Sequence, residues 1–157
     1  MPPLYQKINF QDGLDYKERH ASHALIYNPN IKKFLVFEEI SNPFVTAKYT
    51  LIGGAIEEGE TKEQALLREF EEEAGIDPKN ISNMRYLGQN ILGWVFQSLK
   101  KPGYKFNMKL TDEVFYFEME SEKEGFEADG CITRLVSKEE LTKNCGGRTK
   151  FLLENYT

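Results

Sequence analysis

Glu69, Glu72 and Glu73 stand three and four residues apart, with Arg68 directly before them. On a helix, at about 100° per residue, Glu73 falls roughly 40° to one side of Glu69 and Glu72 roughly 60° to the other. Three carboxylates then share one arc. Like charges at these spacings destabilise a helix by about 0.2–0.5 kcal/mol per pair. Two of the acids also fall in the last turn, where the helix dipole favours cations. A hard divalent cation offsets both costs, because Mg²⁺ takes oxygen ligands and needs few of them from protein. The competing reading is a solvated acidic face. Against it, the acids border the apolar residues of the same helix instead of opposing them. Gly53-Gly54 precedes the helix and offers backbone carbonyls as further oxygen ligands.

These side chains need a helix to carry them. Thr61-Lys62-Glu63-Gln64 is a capping box, so a helix is expected over 61–74. Gly75 suits the C-terminal cap, and Pro78 blocks continuation. Leu66, Leu67, Phe70 and Ala74 form the expected buried stripe, with Gln64 and Glu71 turned to solvent. Upstream, 24–27 and 34–37 are apolar runs around Asn28-Pro29-Asn30 and read as a hairpin. A third short strand is expected at 49–52. Strand composition recurs at 84–87, 92–97, 114–118 and 132–136. The run 114–117 is apolar throughout and reads as a central strand. Ser137-Lys138-Glu139-Glu140 is a second capping box, and 149–156 a last helical stretch. Residues 1–20 read as an extended arm holding one short strand at most. The pattern is that of an α/β fold with a mixed sheet.

Composition narrows the function. The 157 residues suit a single domain spanning 1–157, with 40% hydrophobic content to build its core. Twenty basic against 25 acidic residues give a net charge of −5. That disfavours a clamp on long nucleic acids, which needs a basic face. A small phosphorylated substrate stays open, since a bound cation supplies local positive charge. Two cysteines, Cys131 and Cys145, exclude a dense disulfide framework and a four-cysteine zinc site. The expected location is the cytoplasm, with no membrane span and no secretory leader in the first twenty residues. His20 and His23 read as strand-entry histidines in preference to a metal pair.

The segment GAIEEGETKEQALLREFEEEAGI, residues 54–76, meets every fixed position of the Nudix box. The chain therefore resembles the Nudix hydrolases. The resemblance implies an α/β/α sandwich with a mixed sheet. It implies that Glu69, Glu72 and Glu73 bind Mg²⁺ or Mn²⁺, with the carbonyl of Gly53 completing the site. Arg68 would orient the glutamates, and Glu60 would brace the loop-helix junction. The implied reaction is hydrolysis of a diphosphate bond in a nucleoside diphosphate linked to another group. The general base is Glu72 or Glu73, or else an acid from 121–130, where Glu122, Glu124, Glu127 and Asp129 are available and Glu127 is favoured. Many members carry proline before the Gly-Gly pair; this chain has Ile52.

The resemblance leaves substrate choice open. A small, MutT-like nucleoside triphosphate pyrophosphohydrolase is the first reading. ADP-ribose, a nucleotide sugar or a dinucleoside polyphosphate is the second. A Nudix module that binds nucleotide without hydrolysis is the third, and the complete box argues against it. The expected partner is a small nucleotide or nucleoside diphosphate derivative, with the protein a monomer or homodimer. Trp94 is a candidate base-stacking partner, with Tyr104 and Phe106 open to the same reading.

Overall fold

The computed structural model describes residues 2–41 and 47–157. Among these, the strands are Tyr5–Ile8 (β1), Asp15–Asn28 (β2), Lys33–Glu39 (β3), Tyr49–Thr50 (β4), Ile52–Ala55 (β5), Ile81–Gln97 (β6), Lys105–Met119 (β7), Glu127–Ala128 (β8) and Cys131–Ser137 (β9). The α-helices are Lys62–Glu73 (α1), Lys138–Lys143 (α2) and Gly147–Tyr156 (α3). All strands join one sheet in the order β1-β6-β7-β2-β3-β9-β8, with β4 on β3 and β5 on β2. The pairs β1/β6 and β2/β7 are parallel and the others antiparallel, so the sheet is mixed. Ala24, Ile26, Phe115 and Phe117 face α1 and bury Leu66 and Phe70. Leu25, Val36, Val114 and Tyr116 face the other way, over Leu141 of α2 and Leu152 and Leu153 of α3. The result is an α/β/α sandwich.

The start of α1 follows from its cap. Gln64 N–H donates to Thr61 Oγ1 at 3.1 Å, and Thr61 N–H donates to Gln64 Oε1 at 2.9 Å. The helix caps at Ala74, and Gly75 takes the left-handed conformation at φ 64°. One residue of the expected stripe is misplaced: Leu67 is 43% exposed, while Ala65 is fully buried. Glu69 packs against Gly54 of β5, and Ala65, one turn earlier on the same side of the helix, shares the buried face with Leu66 and Phe70.

Several expected strands have different limits. Residues 15–20 are no free arm: β2 begins at Asp15 and runs parallel to β7 from Asp15↔Phe106 to Tyr27↔Glu118. The runs 84–87 and 92–97 belong to one strand, β6, with register shifts between Ser82/Arg85 and Tyr86/Gly88. Gly88 absorbs the second shift at φ 137°. The strand expected at 49–52 breaks at buried Leu51, because the chain transfers there from β3 to β2. The second capping box forms by half. Glu140 N–H donates to Ser137 Oγ at 3.1 Å, but the Glu140 carboxylate accepts from Tyr49 Oη at 2.6 Å instead of reaching back. No helix among the described residues is long and apolar enough to cross a membrane.

Candidate metal centre

The centre is built where β5 meets α1. Gly53 has φ 152°, and a Cβ there would collide with the Ser22 carbonyl oxygen. A Cβ on Gly54 would stand 2.5 Å from Glu69 Oε1. Glu69 can therefore lie flat on the Gly54 backbone only because that position has no side chain. Its own side chain is 12% exposed.

Arg68 ties the loop to the helix. Its Nε donates to Glu60 Oε2 at 2.8 Å, and its Nη2 donates to Glu60 Oε1 and the Ala55 carbonyl, both at 3.0 Å. Nη1 donates to Glu69 Oε1 at 3.1 Å and lies 3.6 Å from Glu72 Oε2. Glu57 N–H also donates to Glu60 Oε1, at 2.8 Å. A planar guanidinium bound in this forked way fixes direction as well as charge. The Arg68 hydrogen bonds, followed by the Glu57 amide, hold the Glu60 carboxyl below the usual range. The same Glu60 hydrogen bonds raise Arg68 further above its already high value.

Glu73 behaves in the opposite way. Burial raises its pKa first; a hydrogen bond with Asp129 and the charges of Asp129, Glu69 and Glu72 raise it further. Asp129 and Gly130 both have positive φ, 48° and 77°, in the two-residue turn between β8 and β9. That is the geometry favoured by Asp-Gly hairpins. The turn aims Asp129 at the end of α1.

The expected residues Gly53, Arg68, Glu69, Glu72 and Glu73 thus come together at one junction. Glu127 sits on β8 and is exposed. The loop acid that meets Glu73 is Asp129, two residues on. The sequence signal for it is the Asp129-Gly130 dipeptide just before the strand composition of 132–136. Trp94 lies elsewhere, in a ladder row with Met108 and Lys17 on the sheet face that carries α3. It is 37% exposed.

The donors suit a hard cation: Glu69, Glu72, Glu73 and Asp129 offer oxygen alone. Burial, and after it Asp129, Glu69 and Glu72, raise the Glu73 pKa, and a cation placed among these acids would offset both. Among the described residues no three acids are already gathered at ligand distances. Arg68 Nη1 stands between Glu69 and Glu72, and Glu72 is 59% exposed and has room to turn inward.

The NUDIX domain family model matches residues 17–148. The chain belongs to the Nudix family. Among curated Nudix relatives it is 49% identical over 53 residues to the NAD-capped RNA hydrolase NudC of Vibrio atlanticus, covering 34% of this chain and 18% of that protein. It is 36% identical over 66 residues to the 8-oxo-dGTP diphosphatase of Escherichia coli, covering 42% of this chain and 50% of that one. The chain thus spans half or less of the length of these relatives. Among solved structures, the E. coli dihydroneopterin triphosphate pyrophosphohydrolase has TM-score 0.64 at 19% identity, over 90% of this chain and 97% of that chain. That likeness is one of fold.

Proposed function

We propose that the protein is a divalent-metal-dependent Nudix hydrolase that cleaves a diphosphate bond in a small nucleotide, most readily a nucleoside triphosphate. The observation that carries this reading is the Arg68 clamp. It fixes Glu69 against Gly54 and holds Glu72 within reach, on a helix whose last acid, Glu73, is crowded by Asp129. Stability alone gives no reason to gather four acids around one junction.

Glu69, Glu72 and Glu73, with the carbonyl of Gly53, would hold Mg²⁺ or Mn²⁺. A bound cation of this kind neutralises phosphate oxygens and lowers the pKa of an attacking water. Arg68 keeps Glu69 in place as the acids reorganise. Glu72 or Glu73 takes the proton of the water. Asp129, hydrogen-bonded with Glu73, assists there, with Glu127 two residues before it on β8. The triphosphate preference is supported by the name of the E. coli relative, an 8-oxo-dGTP diphosphatase, of which this chain covers half.

The test is a product analysis. The protein is incubated with Mg²⁺ and nucleoside triphosphates, ADP-ribose, nucleotide sugars and dinucleoside polyphosphates, and products are identified by mass. The expected result is a nucleoside monophosphate with pyrophosphate. Cleavage of ADP-ribose to AMP and ribose phosphate would move the substrate to the second class. Binding without products from any of them would overturn the hydrolase reading.

A further inference from the structure

Asp112 of β7 is a fully buried carboxylate on the sheet face opposite α1. His23 Nδ1 of β2 lies 2.5 Å from its Oδ1, and Arg148 Nη1 of α3 donates to its Oδ2 at 2.9 Å. A buried carboxylate is costly unless each oxygen is bonded, and here each has its own partner. Facing a carboxylate, Nδ1 carries the ring proton. The ring is thereby fixed at one edge.

The other edge meets the metal centre. His23 and Gly53 are direct partners in the β2–β5 ladder. A Cβ on Gly53 would stand 2.9 Å from His23 Cδ2, so the imidazole edge lies against the bare Gly53 backbone. That backbone has φ 152°, which residues other than glycine rarely adopt, and glycine is the residue least able to hold a conformation by itself. Its support comes from outside the strand, from its ladder partner His23.

Stability is a poor account of the cluster. Replacing a buried ion cluster with apolar residues of similar volume is often neutral or stabilising. The neighbouring position is equally uneconomical: Asn90, opposite Asp112 in the β6–β7 ladder, is buried with neither side-chain polar atom bonded. Polar groups retained here need a role in placement.

We infer that His23 is a positioning residue for the Gly53-Gly54 backbone, held by Asp112 and, through it, by Arg148 of α3. The chain of contacts crosses the sheet from the α3 layer to the junction of β5 with α1. It rests on the reading above in one respect, the assignment of the Gly53 carbonyl as a metal ligand. Gly54, next along, is the bed of Glu69.

The test uses the full chain and three variants. His23→Asn keeps an N–H donor for Asp112 but withdraws the ring edge from Gly53. Arg148→Met releases Asp112 from α3, and Arg148→Lys retains the charge. Amide hydrogen exchange in the metal-free protein reads the β5 backbone directly, and electron paramagnetic resonance of free Mn²⁺ reads metal affinity without turnover. In His23→Asn the β5 amides should exchange faster while those of β3 keep their rates. Mn²⁺ binding should weaken about tenfold, the effect typical of a lost outer-sphere support. Arg148→Met should shift both readings in the same direction, and Arg148→Lys should restore them. Unchanged β5 exchange in both His23→Asn and Arg148→Met would overturn the inference, including when the melting temperature falls. Faster β5 exchange with unaltered Mn²⁺ affinity would support the positioning role and overturn Gly53 as a ligand.

Discussion

Gly54 shows how much of this site depends on single atoms. A methyl group there would stand 2.5 Å from the Glu69 carboxylate, so Gly54→Ala must push Glu69 off the strand. Glu69 would then also lose its hydrogen bond from Arg68. We expect Gly54→Ala to weaken Mn²⁺ binding at least about tenfold, measured by titration, with the fold retained by circular dichroism. Glu72→Gln and Glu73→Gln remove charge from the acid cluster itself. Each should lower turnover by about 100-fold or more, in steady-state assays on whichever substrate the product analysis identifies. Near-normal rates in both variants would overturn the assignment of Glu72 and Glu73 to the metal site. The acids were readable from spacing because helical geometry is regular: a residue number converts directly to an angle. Asp129 was not singled out. Its approach to Glu73 depends on a turn between two distant strands, and no helical or strand period encodes that meeting.

At the scale of elements, α1 was legible in its ends and less so in its orientation. The cap at Thr61 and the stop at Gly75 are local hydrogen-bond and backbone properties, which the sequence carries by itself. Thr61→Ala removes the side-chain half of the box and should cost about 1 kcal/mol in urea unfolding. The direction in which α1 faces depends on its neighbour. Helical periodicity groups Leu66 and Leu67 as buried, but the face turned to the sheet is that of Ala65, Leu66 and Phe70, and Leu67 is exposed. The two leucines should therefore separate cleanly in denaturant melts. Leu66→Ala should destabilise by about 2–5 kcal/mol, whereas Leu67→Ser should stay within about 0.5 kcal/mol. Equal losses would mean that α1 sits differently on the sheet. The long strands were fragmented for a related reason. The register shifts in β6 interrupt alternation, and the polar start of β2 gains its strand character from β7 alongside it.

Across the whole molecule, the order of layers followed from the alternation of runs and caps, while the parallel pairing of β2 with β7 needed contacts between segments some ninety residues apart. The sandwich that results carries an unfavourable feature where α1 meets the β8–β9 turn: Glu73 is partly buried and feels the charges of Asp129, Glu69 and Glu72. A ligand that binds only the folded state stabilises it by RT ln(1 + [L]/Kd), about 2.7 kcal/mol at one hundred times Kd. For a chain of this length that corresponds to a rise of roughly 5–11 °C in melting temperature. Saturating Mg²⁺ should therefore raise the melting temperature of the wild-type protein by several degrees, and EDTA should reverse the rise. The Glu72→Gln/Glu73→Gln double variant should behave in the opposite sense. Without metal it should melt at or above the wild-type temperature, because the repulsion of Glu72 and Glu73 by Glu69, and of Glu73 by Asp129, is gone. With Mg²⁺ it should gain little. A double variant that melts well below wild type without metal would show that these acids stabilise the fold through contacts of their own. Repulsion among these acids, the physical basis for placing a cation here, would then be ruled out.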